Sequence, residues 1–154
     1  QQIYHKNGYT IVDDTYNANP LSMARMLDAA AESAQKRPFV VVLGEMRELG
    51  SVADRAHERL GRHLAQLRPV LVFWRGGHAD AVRDGLEHGL YTGKFLPVDS
   101  GEAFVQALRE HLPAETGEQG GLMLFKGSRG NHLEELLEAL EQSDWLPGSR
   151  TESL

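Results

Sequence analysis

The stretch "RPFVVVLGEMRELGSVADRAHERL", residues 37–60, decides the fold. Residues 39–43 are five consecutive apolar residues, which predicts a strand buried on both faces of a sheet. A polar loop follows at residues 44–50. Ser51, with Asp54 three residues later, resembles a capping box and predicts that a helix starts there. A buried strand that leads directly into a helix is typical of a parallel sheet covered by helices.

The same alternation of strand and helix continues on both sides of this stretch. Other strands are predicted at residues 3–6, 9–12, 70–74, 95–98 and 122–125. Helices are predicted at residues 20–37, 51–67, 78–86, 99–111 and 132–142. Asn7-Gly8, between the first two strands, predicts a tight hairpin. We therefore expect a three-layer α/β sandwich whose mostly parallel sheet has about six strands, with an antiparallel N-terminal strand at its edge.

Composition limits the class of protein. The 154 residues include no cysteine, carry a formal net charge of −6, and are 41% hydrophobic and 25% charged. These values favour one globular domain, expected at residues 1–143, with a flexible tail at residues 144–154. The acidic balance and the short apolar runs argue against a nucleic-acid partner and against a membrane. The lack of cysteine fits a reducing compartment, so we expect a cytoplasmic protein, and the start at Gln1 suggests a piece of a longer one.

Polar side chains cluster in loops that follow predicted strands, which is where ligands bind in folds of this class. In the loop 13–19, Asn19 is predicted to cap the next helix, with Pro20 at its first position. Asp14 and Asn17 of this loop have two interpretations. They either form the turn through local hydrogen bonds, or they present a carboxylate to a ribose diol and an amide to the edge of a purine.

Two more polar loops are expected on the same rim of the sheet. The loop 44–50 lacks a dinucleotide-binding fingerprint, and Glu45 there is either solvated or faces a cation or an amine. The loop 126–130, "KGSRG", combines two glycines, two cations and the start of a helix, which suits a phosphate or a carboxylate. The alternative is a glycine turn with solvated charges. The chain contains no Walker A motif.

The histidines and Trp74 are predicted to have structural roles. None of the seven histidines has the spacing of metal ligands, so no metal site is expected. These histidines, His57 among them, are predicted to lie at the surface or at helix ends. Trp74, at the end of a predicted strand, belongs either to the core or to a pocket wall, and the core is favoured.

Three motifs occur together and in order: "DDTYNANPLSM" at 13–23, "VLGEMRELG" at 42–50 with His57 soon after, and "KGSRG" at 126–130. Together they resemble the C-terminal domain of the Mur ligases, and the "YNANP" form favours the MurF branch. The resemblance extends from Ile3 to Gln142. It implies a Rossmann-like fold and a part in the ATP-dependent addition of D-alanyl-D-alanine to UDP-N-acetylmuramoyl-tripeptide in peptidoglycan synthesis. An acyl phosphate forms first in that reaction, and the amine of the dipeptide then attacks it.

The resemblance also implies roles for individual residues. Asp14 is implied to bind the ribose of ATP. The residues implied to surround the adenine are Tyr16, Asn17, Asn19 and Pro20. The residues implied to face D-alanyl-D-alanine, or the phosphate side of the intermediate, are Lys126, Ser128, Arg129, Glu45 and Arg75. No residue of this chain is implied to act as a catalytic acid or base.

In the family the complete enzyme has two further domains, which hold the UDP-sugar substrate, the P-loop and the Mg²⁺ ligands. The implied partners of this chain are therefore ATP with Mg²⁺, the two peptide substrates and those two domains. We expect this chain alone not to turn over substrate and to bind nucleotide weakly at most.

A phosphoacceptor receiver domain is the alternative function. Asp13-Asp14 and Lys126 fit its pattern of an acidic pair after the first strand and a lysine after the last. Trp74-Arg75, however, stands where the acceptor aspartate is required after the third strand. This class is therefore disfavoured.

Overall fold

The computed structural model describes residues 2–16, 18–112 and 120–145. Its strands are β1 (Gln2–Lys6), β2 (Tyr9–Asp14), β3 (Phe39–Gly44), β4 (Leu71–Arg75), β5 (Lys94–Pro97) and β6 (Gly121–Lys126). Its α-helices are α1 (Pro20–Ala34), α2 (Ala53–Leu67), α3 (Ala79–His88), α4 (Gly101–His111) and α5 (Glu134–Gln142). Short 3₁₀ turns, Gly50–Val52 and Arg129–Asn131, precede α2 and α5. None of the helices in these described ranges is long and apolar enough to span a lipid bilayer.

The six strands form one sheet in the order β1-β2-β6-β3-β4-β5. β1 pairs with β2 in the antiparallel sense, and the other neighbouring strands run parallel. The turn between β1 and β2 uses Asn7 and Gly8, which both have a positive φ, as a two-residue hairpin turn of this kind requires. The predicted sheet, with its antiparallel N-terminal edge strand, is therefore confirmed.

β3 is buried on both faces, as its sequence predicts. Val41 and Leu43 belong to one core with α1, α2 and α3, whereas Val40 and Val42 belong to a second core with α4 and α5. Successive side chains of a strand point to opposite faces, so an unbroken apolar run needs a helical layer on each side. The helices accordingly cover both faces of the sheet and complete the predicted three-layer sandwich.

The caps of α2 and α4 differ from those predicted. The capping box expected at Ser51 and Asp54 does not form, because the Asp54 carboxylate lies 2.8 Å from His78 Nδ1 and α2 begins after a 3₁₀ turn. The cap of α4 is Ser100 and not Asp99, since the Ser100 hydroxyl accepts a backbone N–H of the first helical turn at 3.1 Å. The start of α2 thus involves a partner from another element, whereas the start of α4 is set by a local cap.

The folded domain extends further towards the C-terminus than predicted. The tail expected from residue 144 is wrong for its first described residues, because Trp145 is fully buried. The Trp145 ring packs edge-on against Tyr9, with 5.5 Å between the ring centroids. An indole has a large apolar area to bury, which favours this packing over exposure to solvent. Residues 146–154 of the predicted tail lie outside the described residues.

Candidate functional site

Four loops meet at one edge of the sheet. β2, β6, β3 and β4 are consecutive neighbours and run parallel, so their carboxyl ends lie at the same edge. The loops after β2, β6 and β3 are the three polar loops that were predicted to converge. The turn after β4, which contains Gly76 and Gly77, joins them. We call this edge the rim.

Asp14 and Lys126 form an ion pair on the rim. They are register partners at the ends of β2 and β6, and Lys126 Nζ lies 2.8 Å from Asp14 Oδ2. The lysine side chain is 3% exposed and the aspartate side chain is 22% exposed. A buried ammonium group requires an anionic partner, so Lys126 holds the Asp14 carboxylate in a fixed position. The structure thus brings together two residues that the resemblance assigns to different ligands.

A pocket of about 360 Å³ opens beside this ion pair. Besides the pair, its lining residues are Asn19, Leu21, Ser22, Arg25 and Met26. Asn19 also caps α1 as predicted, because its Oδ1 accepts the Ser22 N–H at 2.9 Å. Sequence reasoning missed Arg25 and Met26, although their positions three and four residues after Ser22 place them on the same helical face. Asn17, predicted to bind here, lies outside the described residues.

Pro20 lines a different cavity. This cavity has a volume of about 160 Å³ and lies between α1 and α2. Its walls are largely apolar and come from Pro20, Met23, Ala24, Met46, Ala56, Arg59, Leu60 and His63. Asn19 and Pro20, which were predicted to line one adenine site, therefore belong to two separate cavities.

Tyr16 and Arg129 join the loops after β2 and β6. The Arg129 guanidinium lies 4.3 Å from the centroid of the Tyr16 ring, and its Nη2 donates a hydrogen bond to the Tyr16 hydroxyl. Tyr16 is 69% exposed, so this cation–π contact is made at the surface of the rim. A residue predicted at the adenine and one predicted at the dipeptide are thus in direct contact.

Ser128 is held by Asn131, a residue that sequence reasoning missed. Asn131 Oδ1 accepts the Ser128 backbone N–H at 2.6 Å and the Ser128 hydroxyl at 3.1 Å. Asn131 is buried and packs directly on Gly44, where a β-carbon would lie 2.3 Å from Asn131 Cγ. The three-residue spacing from Ser128 to Asn131, typical of a capping box, was the available signal.

Glu45 lies against the turn after β4. A β-carbon added at Gly76 would be 3.0 Å from Glu45 Oε1, and one at Gly77 would be 3.1 Å from Oε2. Glu45 Oε1 is also 3.8 Å from Arg47 Nη1. The two glycines therefore give the Glu45 carboxylate room to lie on the rim.

Arg75 is engaged by its own chain. Its guanidinium donates to the carbonyls of His132 and Asp99, at 2.8 Å and 3.2 Å, and to the Glu135 carboxylate at 3.1 Å. Its side chain is 16% exposed. These partners satisfy the fork of the guanidinium, so Arg75 connects the end of β4 to the starts of α4 and α5.

His57 corrects the prediction that the histidines lie at the surface or at helix ends. Its side chain is fully buried, and Nε2 accepts the Met46 backbone N–H at 2.9 Å. Nδ1 lies 2.7 Å from the Ala53 carbonyl oxygen, which can only accept, so the proton is on Nδ1. Burial lowers the pKa of His57. Its position three residues before Leu60 on the buried face of α2 was a signal in the sequence.

Trp74 confirms the preference for the core. It is 1% exposed, its ring meets the His57 ring edge-on, and its Nε1 donates to the Gly77 carbonyl at 2.9 Å. The indole N–H thus finds a partner although the side chain is buried.

Comparison with known proteins places these features in a family. Residues 1–129 match the family described as "Mur ligase, glutamate ligase domain". A UDP-N-acetylmuramoyl-tripeptide–D-alanyl-D-alanine ligase from Bacillus subtilis is 30% identical over 139 residues, which cover 89% of this chain and 29% of that protein. The ligase of the same name from Mycobacterium tuberculosis H37Rv is 33% identical over 156 residues, covering 90% of this chain and 30% of that protein.

Solved structures agree. MurF from Acinetobacter baumannii superposes with a TM-score of 0.72 at 34% identity, over 92% of this chain and 30% of that one. MurF ligase from Thermotoga maritima in complex with ADP superposes with a TM-score of 0.71 at 29% identity, over 91% of this chain and 30% of that one. This chain therefore spans less than a third of the length of these relatives. The chain belongs to the Mur ligase family, as a Mur ligase C-terminal domain homologous to that of MurF.

Proposed function

We propose that this chain is the part of an ATP-dependent ligase that closes over ATP and seats the incoming amino substrate. The proposed reaction adds D-alanyl-D-alanine to UDP-N-acetylmuramoyl-tripeptide in peptidoglycan synthesis. Identity of 30% or more to ligases of that name supports it. The observation that carries it is the Asp14 carboxylate, which Lys126 holds on the rim beside an open pocket.

The proposed reaction needs an activated carboxylate and a dry site. When bound, ATP supplies the phosphoryl group that converts the carboxylate of the acceptor peptide into an acyl phosphate. The amine of D-alanyl-D-alanine then attacks the carbonyl carbon, and phosphate leaves from the tetrahedral intermediate. Water would hydrolyse the acyl phosphate, so a domain that covers the site preserves it.

The Asp14 pocket suits the nucleoside part of ATP. Ribose hydroxyl groups donate to a carboxylate, and the Asp14 carboxylate is already fixed in position by Lys126. Asn19 lines the same pocket. Tyr16, two residues after Asp14, supplies an exposed aromatic ring. We place the adenine beside these residues and Asn17.

The P-loop and the Mg²⁺ ligands are assigned to other domains of the ligase. Within the described ranges, no three His, Asp or Glu side chains lie together as a metal-binding group. We therefore assign no step on this chain to the metal ion. The same ligase supplies the UDP-sugar site, and its remaining domains are the proposed protein partners of this chain.

The loops after β6 and β3 suit the amino substrate. The terminal carboxylate of D-alanyl-D-alanine needs a cation, and Arg129 presents an exposed guanidinium next to Ser128. Glu45, on the neighbouring loop, can accept hydrogen bonds from the amine. Lys126 and Arg75 already hold protein groups, so we propose that they act by positioning these loops. We also propose a cytoplasmic location.

The test is the ATP dependence of the full-length ligase. Asp14→Ala is expected to raise the KM for ATP about tenfold, as for the loss of a hydrogen bond to a charged group, and to raise the KM for the dipeptide less. The matched control is Asp28→Ala, which removes a carboxylate of α1 that pairs with His63 at 2.7 Å. An ATP KM that Asp14→Ala leaves unchanged would show that the loop after β2 is only a turn.

A further inference from the structure

One buried imidazole joins three elements of the rim. His57 belongs to α2, accepts the Met46 N–H from the loop after β3, and stacks on His78 from the turn after β4. The two imidazole rings are 4.5 Å apart between centroids and 9° from parallel. His78 is fixed in turn by the Asp54 carboxylate of α2 at 2.8 Å. The loops after β3 and β4 are thus connected through His57.

Glu45 depends on this connection. It immediately precedes Met46, and its own backbone N–H donates to the Arg75 carbonyl at 3.2 Å. The hydrogen bonds that two consecutive backbone N–H groups donate, those of Glu45 and Met46, therefore set the backbone that carries the Glu45 carboxylate. That carboxylate rests on the Gly76–Gly77 turn, which Trp74 holds through the Gly77 carbonyl. Loss of the His57 hydrogen bond would therefore free the Met46 amide, which is directly adjacent to Glu45 in the backbone.

We propose that His57 is a positioning residue, whose neutral imidazole holds the Met46 amide and thereby fixes the Glu45 carboxylate on the rim. The part of this inference that concerns substrate binding, in which Glu45 meets the amine of the incoming substrate, rests on the proposed function. The part in which His57 positions Glu45 concerns this chain alone. His57 does not touch the reacting atoms.

The protonation state of His57 decides whether it can hold the loop. Nδ1 already carries a proton for the Ala53 carbonyl, so a second proton must go to Nε2, which then cannot accept the Met46 N–H. The charged and titratable groups that face the ring are His78, Glu45 and Asp54. Burial outweighs the Ala53 carbonyl and the two carboxylates and keeps the pKa of His57 below its ordinary value, so the loop is held at neutral pH.

The first test uses amide hydrogen exchange measured by NMR on this chain. His57→Phe keeps an aromatic ring but has no acceptor, and the protection factor of the Met46 amide is expected to fall about fivefold to tenfold, the value of one net hydrogen bond. His57→Gln offers a carbonyl oxygen and should restore part of the protection. The control His111→Phe changes a partly exposed histidine of α4, on the other face of the sheet, and should leave Met46 unchanged.

The wild-type chain gives a second reading that needs no variant. Side-chain ¹⁵N spectra are expected to show His57 as the neutral Nδ1–H tautomer at pH 7. The Met46 protection factor should fall only as the pH drops through the lowered pKa of His57. An Nε2–H tautomer, or Met46 protection that is equal in wild type and His57→Phe, would overturn the proposal.

Steady-state kinetics of the full-length ligase test whether Glu45 takes part in substrate binding. His57→Phe is expected to raise the KM for the dipeptide about fivefold while the KM for ATP stays the same. Lost Met46 protection with an unchanged dipeptide KM would overturn the role of Glu45 in substrate binding. A wild-type enzyme without ligase activity would instead refute the proposed function and leave the exchange result standing.

Discussion

At the scale of the residue, Lys126 is a buried cation of the site. Its side chain is nearly inaccessible to solvent and pairs with Asp14 at 2.8 Å. Lys126→Met should lower the free energy of unfolding by about 1–3 kcal/mol, less than for a fully buried pair because Asp14 is partly solvated. Urea denaturation followed by circular dichroism measures this change. Asp80→Asn, which breaks an exposed pair with Arg83, is the control and should cost less than about 0.5 kcal/mol.

The double variant sharpens the same prediction. Asp14→Ala combined with Lys126→Met removes both charges, so its cost should be smaller than the sum of the two single changes. Additive costs would mean that the two side chains do not stabilise each other. Such a result would also remove the physical reason for Asp14 to be held on the rim.

Single residues also show where the sequence was insufficient. Asp14 and Asn19 were predicted correctly on the rim because a polar loop after a buried strand has few other places to lie. The ion pair of Asp14 with Lys126 was not predicted, because it depends on β2 and β6 being neighbours despite their separation in the chain. Arg75 was assigned to a substrate because the sequence does not show that the carbonyls of Asp99 and His132, which precede α4 and α5, and the Glu135 carboxylate of α5 surround it.

At the scale of the element, α2 and α3 pack through two glycines. A β-carbon at Gly85 would lie 2.0 Å from the Glu58 carbonyl oxygen, and one at Gly61 would lie 2.2 Å from the Val82 carbonyl oxygen. The two helix backbones therefore approach so closely that neither position accepts a methyl group. This contact fixes α3, and with it the turn after β4 that supports Glu45.

The sign of the stability change caused by Gly85→Ala tests this packing. Alanine favours an exposed helix by about 1 kcal/mol over glycine, whereas forcing the two helices apart should destabilise the domain by about 1–3 kcal/mol. We expect the second effect to dominate in urea denaturation. Ser33→Ala, at an exposed position of α1, should change stability by less than about 0.5 kcal/mol. A Gly85→Ala variant more stable than wild type would contradict the close packing.

Element starts and ends were harder to predict than element types. The unbroken run in β3 and the helical spacing in α1 predicted both elements, because these signals are local. The capping box at Ser51 and Asp54 did not form, because Asp54 has a better partner in His78 from another element. Trp145 was placed in a tail because its partner, Tyr9, lies at the opposite end of the chain. Tertiary contacts overrode local signals in both cases.

At the scale of the whole molecule, the alternation of strands and helices was enough to predict a sheet covered on both faces. Only one handedness of the parallel crossover is common, so few topologies remain once the alternation is known. The same topology gathers the loops after β2, β6, β3 and β4 at one edge. This edge, however, is open, and so is the Asp14 pocket, which the ends of β2 and β6 and the start of α1 line.

An open rim predicts weak nucleotide binding by this chain alone. A small ligand gains affinity when most of its surface is buried, and an open pocket with a single fixed carboxylate cannot provide that burial. We therefore expect isothermal calorimetry of ATP with Mg²⁺ to give a Kd weaker than about 100 µM, and a ligase assay of this chain to show no turnover. Adenosine, which keeps the ribose and the adenine, should bind about as weakly if Asp14 and its neighbours make the main contacts. Nanomolar affinity, or turnover by this chain alone, would show that the site is complete without other domains.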